Sequence, residues 1–202
     1  MKTHPAIAVL DFADIPAGVF TTDAMVKRAP IALLRCGTVT SARFLTVIGG
    51  STASVAEALE EGLARGGAAV IDHAFLADVH PMLYESLFGV RRRGGDGAMA
   101  VLTVDAVSAM VRALEAALKG TPVELVELRP ADTGLAGLAL AVLRGPLHDV
   151  EAAVSLALAA AGPLRRVSHR IVTSPHEATW AQIDAASLFA GRASTELAGE
   201  DD

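Results

Sequence analysis

The stretch Ala6-Ile-Ala-Val-Leu10 returns 92 residues later as Ala98-Met-Ala-Val-Leu102. With the same offset, residues 6–35 fall on residues 98–127 with ten identities in thirty positions. An alanine-rich composition would give about three identities by chance. The matches include residue types other than alanine, such as Lys27 with Lys119 and Pro30 with Pro122. The chain is therefore interpreted as two copies of one structural unit.

The similarity continues further along the chain, where the offset grows to 95 and then to 96. The matched pairs are Gly50 with Gly145, His73 with His169, and His80 with His176. The change of offset predicts three extra residues between the second and third strands of the second copy. A repeat duplicates packing roles more readily than catalytic roles, so the paired histidines are interpreted as structural residues.

Each copy predicts a β-α-β-β-α-β-α order, which is a ferredoxin-like split βαβ arrangement of the α+β class. We expect an antiparallel sheet with helices packed on it. The first copy predicts strands 6–12, 31–37, 44–49 and 68–75, with helices 16–29 and 81–88. A further helix is predicted after the turn and cap at Gly50 and Ser51, with its apolar face at Val55, Leu59, Gly62 and Leu63. The second predicts strands 98–104, 123–129, 138–144 and 165–172, with helices 108–120, 147–161 and 176–188. The expected divisions are a first domain 5–88, a Gly/Arg linker 89–97 with solvated arginines, a second domain 98–190 and an acidic tail 191–202.

Composition excludes several classes of function. The chain has 202 residues and a formal net charge of −6, which disfavours binding to nucleic acid. Aromatic residues are only 4%, so base-stacking platforms are not expected. The single cysteine, Cys36, excludes a disulfide within the chain. No secretory signal or membrane-spanning segment is recognised, so we expect a soluble, cytoplasmic protein with no membrane or nucleic-acid partner.

Four motifs carry a resemblance to a known family. They are Asp23-Ala-Met-Val-Lys-Arg-Ala-Pro-Ile-Ala-Leu-Leu34, Phe44-Leu-Thr-Val-Ile-Gly-Gly50, Ala77-Asp-Val-His-Pro81 and Pro175-His-Glu-Ala-Thr-Trp180. These resemble the shell domains of bacterial microcompartments, in two unpermuted copies, and are most similar to tandem shell proteins of the propanediol-utilisation type. The resemblance covers residues 5–185, nearly the whole chain.

The resemblance implies a structural tile and no enzymatic activity. Such proteins form homotrimers, in which six domains surround a central pore as a pseudohexamer. They assemble with hexameric, pentameric and other trimeric shell proteins around encapsulated enzymes, so the expected location is a microcompartment shell in the cytoplasm. We predict no cofactor, no catalytic residue and no metal site.

The same resemblance assigns roles to two groups of residues. Lys27 and Lys119 match the family's tile-edge lysine, whereas the family's edge arginine has no match at Asp78 or Ser174. The pore is expected to be lined by Thr40, Ser41 and Ala42 of the first copy and by Asp132, Thr133, Gly134, Leu135 and Ala136 of the second. The Thr40 and Ser41 hydroxyls would offer donors and acceptors to polar metabolites. Three Asp132 carboxylates facing the pore would favour cations.

Two alternatives remain open at this point. Some tandem relatives hold an iron–sulfur cluster through a cysteine in the first pore loop, where this chain has Thr40. Cys36 lies four residues earlier, and a cysteine within a strand is more typically a small buried hydrophobic residue. The second alternative is a small-molecule-binding tandem ferredoxin-like protein outside any shell.

Overall fold

The computed structural model describes residues 4–190 together with 193 and 194. Most of the predicted acidic tail, 191–202, lies outside the described residues. The first domain contains β1 (Ala6–Phe12), α1 (Ile15–Arg28), β2 (Ala32–Val39), β3 (Arg43–Gly50), α2 (Thr52–Gly66), β4 (Val70–Ala77) and α3 (Pro81–Leu87). The second contains β5 (Ala98–Val104), α4 (Val107–Gly120), β6 (Glu124–Pro130), β7 (Ala139–Gly145), α5 (Leu147–Ala161), β8 (Val167–Val172) and α6 (Glu177–Ala185). The repeat and the α+β class are confirmed.

Local sequence signals explain where the helices of the first domain begin and end. Asp14 caps α1 by accepting a hydrogen bond from the Ala17 N–H at 2.6 Å, and Pro16 occupies the first turn. Pro30 stands two residues after Arg28, the last residue of α1, and cannot continue the helix. The start of β4 differs from expectation, since residues 67–69 form a short 3-10 turn and the strand begins at Val70.

One of the two histidine pairs, His80 with His176, caps two equivalent helices. The Nδ1 atom of His80 accepts a hydrogen bond from the Met82 N–H at the start of α3. His176 does the same for the Ala178 N–H at the start of α6. Because an N-terminal cap satisfies a helix donor that has no partner within the helix, these contacts confirm the structural interpretation of His80 and His176.

Each domain contains one antiparallel four-stranded sheet, with strand orders β2-β3-β1-β4 and β6-β7-β5-β8. The registers correspond, since Ala6 pairs with Gly50 in the first sheet and Ala98 pairs with Gly145 in the second. The three extra residues therefore fall in the β6–β7 connection, as predicted.

The pairing gives each sheet two different ends. At one end of the first sheet, Ala6 pairs with both Gly50 and Ala77, and α1 leads back to β2. At the other end, β2 and β3 are joined by the hairpin 40–42. The terminal residues of α1 and the hairpin therefore lie at opposite ends of the domain.

The two domains share one continuous apolar core. Helix α4, which lies on one side of the second sheet, packs against the face of the first sheet that α1 and α2 leave uncovered. That face contributes Ile7, Val9, Leu45 and Val47. We call this contact between the domains the in-chain seam.

A buried carboxylate completes the in-chain seam. Asp11 of β1 accepts hydrogen bonds from the Val107 and Ser108 N–H groups at 3.2 and 2.7 Å. These groups open α4, which begins after Ala106 and has no side-chain cap of its own. Beside this contact, Arg112 of α4 forms an ion pair with Asp72 of β4 at 2.8 Å. The first domain therefore supplies both a helix cap and a counter-charge to the second.

The linker is exposed at residues 89, 90 and 93–97, as expected, but Arg91 and Arg92 are half-buried. Arg91 forms an ion pair with Glu127 and donates to the Ile183 carbonyl of the second domain. The N–H of Arg92 donates to the Val126 carbonyl at 3.1 Å. Because these contacts fix the linker along β6, the expectation of plain solvated arginines is wrong for Arg91 and Arg92.

Asp11 predicts a pH dependence of stability. Burial raises the pKa of Asp11 above its usual 3.8, although the hydrogen bonds from Ser108 and Val107 and the charge of Arg43 oppose the rise. Since the folded pKa lies above the unfolded one, the folded state binds more protons than the unfolded state between the two pKa values, so raising the pH lowers the free energy of unfolding. The free energy of unfolding of the wild type, relative to Asp11→Asn, should therefore fall from about pH 3.8 upward and become constant above the folded pKa.

Urea unfolding at a series of pH values measures this difference. Asp14→Asn, which changes the exposed cap of α1, is the matched control for the loss of an acidic N-terminal cap. The assignment would be contradicted if the free energy of unfolding of the wild type, relative to that of Asp11→Asn, rose with pH across the same window.

Candidate functional site at the paired hairpin loops

The two hairpin loops at the sheet ends interlock within one chain. Thr40 donates from its N–H and from its hydroxyl to the Ala131 carbonyl, at 2.9 and 2.6 Å. The same hydroxyl accepts a hydrogen bond from the Gly137 N–H at 2.8 Å. The Thr40 hydroxyl is therefore committed to the contact between the loops, which corrects the expectation that it is free for a passing molecule.

Hydrogen bonds from Arg43 also hold the two loops together. The guanidinium of Arg43 donates to the carbonyls of Asp105 and Gly137 at 2.8 and 3.0 Å. Gly137 has a φ of +85°, and a Cβ atom there would lie 3.1 Å from the Ser41 hydroxyl oxygen. Because only glycine tolerates both this backbone conformation and this close approach, Gly137 lets the two loops touch.

Asp132 does not present a free carboxylate. Its side chain is half exposed and forms an ion pair with Arg129 at 2.6 Å. The guanidinium of Arg129 is almost completely buried and also donates to the Ser187 hydroxyl. Because Arg129 compensates the charge, the predicted cation preference of an unpaired Asp132 is not supported by this geometry.

The other predicted loop residues lie at the surface. Ser41, Ala42, Thr133, Gly134 and Ala136 are exposed, and Leu135 is half-buried. Together with Thr40 and Asp132 they form one continuous pair of loops, which we call the loop pair. The structure thus brings all eight predicted residues to the same end of the two sheets.

The loop pair concentrates unusual backbone conformations. Five described residues other than glycine have a positive φ, and four of them are Ser41, Ala42, Ala131 and Ala136, with φ between 47° and 65°. This left-handed region costs an L-residue about 1 kcal/mol or more relative to glycine. Such strain persists where surrounding contacts over-determine the backbone, as the bonds of Thr40 and Arg43 do here.

The predicted edge lysines lie at the opposite end of the domains. Lys27 pairs with Asp23 at 2.6 Å, and Lys119 pairs with Glu115 at 2.7 Å, each one turn back on its helix. Their surroundings differ, since Glu115 also accepts from the His80 N–H of the first domain. Lys27 is 73% exposed and Lys119 is 43% exposed, so both ammonium groups remain accessible.

Cys36 lies on β2 and is exposed, which corrects the expectation of a buried cysteine. The described part of the chain contains no group of three or more His, Cys, Asp or Glu side chains arranged to hold a metal ion. None of the helices described has both the length and the apolar character needed to cross a bilayer.

Comparisons with known proteins place this geometry in a family. A family model described as "BMC domain" matches twice, over residues 6–79 and 98–175. The bacterial microcompartment shell protein PduT of Citrobacter freundii is 29% identical over 179 residues, which cover 88% of this chain and 97% of that protein.

Solved structures give the same result. A microcompartment protein from Desulfitobacterium hafniense DCB superposes with a TM-score of 0.71 and 25% identity, covering 85% of this chain and 95% of that one. A fused, permuted hexameric shell protein of the RMM microcompartment shares the fold, with a TM-score of 0.57, 20% identity and coverage of 76% and 79%.

The strained turn predicts a stabilising substitution. Ala42→Gly should raise the free energy of unfolding by about 0.5–1 kcal/mol, because glycine adopts a φ near +55° without the Cβ penalty. The matched control is Ala56→Gly on the exposed side of α2, which should lower stability by about 1 kcal/mol. Urea unfolding of both variants measures the difference, and destabilisation by Ala42→Gly would contradict the strained conformation.

Proposed function

The chain belongs to the BMC domain family, and we propose that it is a ring-forming tile of a bacterial microcompartment shell. In this proposal three copies close head to tail, which places six domains around a central pore. The observation that carries the proposal is an exposed surface of the first domain. The second domain buries the equivalent surface in the in-chain seam.

The exposed surface consists of one side of α1 together with β2. Its apolar residues correspond by the repeat to residues of α4 and β6 that are almost completely buried. Val19 is 53% exposed and Val111 is 0% exposed; Val26 is 41% and Leu118 is 4%; Leu33 is 43% and Leu125 is 0%; Cys36 is exposed and Leu128 is 4%. Since equivalent positions bury apolar area in one domain and expose it in the other, the exposed copy has the character of an unoccupied interface.

The surface of the second domain that would receive α1 and β2 of another copy is also exposed. In the in-chain seam, β4 and α3 of the first domain cover α4 and β6. Their equivalents in the second domain are β8 and α6. Leu76 of β4 is 8% exposed, whereas its equivalent Val172 of β8 is 40% exposed. A second copy could therefore place α1 and β2 against β8 and α6.

Repeating one such contact head to tail generates a closed ring when the rotation closes. The in-chain seam joins the two hairpin loops through Thr40, and an equivalent seam between chains would continue this row of loops. The loop pairs then meet at the centre of the ring. Lys27 and Lys119, at the opposite end of each domain, would lie on its rim.

The pore of this ring would be lined by the exposed tips of the loop pair. The residues with the required exposure are Ser41, Ala42, Asp132, Thr133, Gly134 and Ala136, with Thr40 and Leu135 behind them. The Arg129 ion pair leaves this lining close to neutral. Small polar side chains and backbone N–H groups suit the passage of polar metabolites better than the selection of one ionic charge.

The rim would contact neighbouring tiles through Lys27 and Lys119. The proposed partners are hexameric, pentameric and other trimeric shell proteins, which together surround encapsulated enzymes. The role proposed for this chain is structural and does not include catalysis. Cys36 faces the proposed interface between chains and not the loop tips, so an iron–sulfur cluster is not part of the proposal.

The seam between chains can be tested by exchanging charges. The ion pair Arg112–Asp72 of the in-chain seam corresponds to Phe20 and Ser168 in the proposed seam between chains. Phe20 is 61% exposed in one chain, and Phe20→Arg would bury an unpaired charge in the ring. We expect Phe20→Arg to dissociate the trimer and the added Ser168→Asp to restore it, as measured by native mass spectrometry.

The matched control is Leu164→Arg, which introduces the same charge at an exposed apolar residue whose equivalent, Ala68, is exposed outside the in-chain seam. This variant should remain trimeric. A trimer that survives Phe20→Arg, or that Ser168→Asp fails to restore, would place the interface elsewhere.

The proposed role of Lys27 and Lys119 can be tested separately from the interface that closes the ring. The double variant Lys27→Ala and Lys119→Ala should keep the trimer mass but lose the assembly of trimers into sheets seen by electron microscopy. Arg65→Ala is the control, because Arg65 is similarly exposed and paired one turn back with Glu61 but lies at the other end of the first domain. Loss of the trimer itself in the lysine variant would show that these residues belong to the ring interface.

A further inference from the structure

A cleft of about 410 Å³ opens beside the loop pair, between β2 of the first domain and the end of β6 of the second. It lies on the side of the first sheet away from α1 and α2. Val39, Leu45, Val47 and Pro130 contribute apolar surface, and Arg35 and Asp132 contribute charged groups. We propose that this cleft binds a small aliphatic carboxylate.

The charge of the cleft is the first argument for an anionic ligand. The guanidinium of Arg35 lies 5.1 Å from the centre of the Phe88 ring, and no carboxylate among the described residues forms an ion pair with it. Asp132, the acidic residue in the lining, is neutralised by Arg129. The cleft therefore has one uncompensated cation, whose planar N–H donors match a carboxylate in a bidentate arrangement.

The apolar floor is the second argument. Leu45 and Val47 belong to the buried core, and their side chains form the base of the cleft. A fully hydrated inorganic anion would gain little from this floor. A ligand with a short alkyl chain would bury apolar area against this floor while its carboxylate remains at Arg35. Small-molecule sites commonly combine an apolar lining with a few polar groups that orient the ligand.

The repeat supplies an internal comparison. In the second domain, Glu127 stands at the position of Arg35, and Arg91 and the Ser187 N–H bind its carboxylate. Trp180 and Ile183 pack over the equivalent floor, and their equivalents in the first domain, Tyr84 and Leu87, belong to the same core as Leu45 and Val47. The difference between the domains is one of charge, since the second domain has a paired acid where the first has the exposed Arg35. This cation is therefore a feature of the first domain and not a requirement of the fold.

All the residues that line the cleft belong to one chain. Because β2 also borders the proposed interface between chains, α6 of a neighbouring chain would lie beside the cleft in the ring. Within the proposed ring, the cleft would lie next to the pore, since Thr40 and Asp132 border both. A carboxylate held there would be concentrated beside the route through the tile.

The test uses sodium butyrate and the full chain. Saturation-transfer NMR should detect saturable binding of butyrate to the wild type, and n-butanol should bind at least tenfold more weakly because it cannot pair with the guanidinium. Arg35→Gln should weaken butyrate binding tenfold or more, which corresponds to the loss of a charged hydrogen-bonded pair. Arg35 is exposed, so the circular dichroism spectrum should not change.

Arg93→Gln is the matched control, because it removes one exposed arginine outside the cleft. It should leave butyrate binding within twofold of the wild type. The proposal is overturned if the wild type shows no saturable butyrate binding, if n-butanol binds as well as butyrate, or if Arg35→Gln and Arg93→Gln bind butyrate equally.

Discussion

The carboxylate of Asp11 lies where the first domain meets the N-terminus of α4, and this buried contact sets the relative position of the two domains. Helix α4 begins after Ala106 without a cap of its own, so its first N–H groups would be unsatisfied without Asp11. With α4 held in this way, β6 lies against α3 and the linker, and the loops at Thr40 and Ala131 come into contact. The core, the loop pair and the neighbouring cleft all depend on this arrangement.

The two kinds of seam in the proposed ring would differ in chemistry. The in-chain seam uses a buried acid, the ion pair Arg112–Asp72 and a shared apolar core. The seam between chains would place Phe20 and Val19 against β8. Its helix, α1, already has the cap Asp14, so it needs no acid from the partner. The in-chain seam is therefore partly ionic, and the proposed seam between chains is mainly apolar.

Much of the fold could be predicted from the sequence, because each sequence pattern occurs twice, once in each copy of the repeat. The identity of Lys27 with Lys119 and the change of offset after residue 35 predicted equivalent elements and a longer β6–β7 loop. Long-range contacts were not predictable in the same way. The pairing of Asp132 with Arg129, the linker contacts of Arg91 and the exposure of Cys36 depend on how the domains pack. One signal was available, since Ala106 stands where α1 has its cap Asp14, and the missing cap pointed to a partner elsewhere.

The central claim is that this tandem-domain chain closes into a three-chain ring. The most direct test is native mass spectrometry of the unmodified full-length chain. The account predicts a dominant species of three times 20.8 kDa. A monomer or dimer as the dominant species at the same concentration would contradict the ring, and with it the assignment of the loop pair to a central pore.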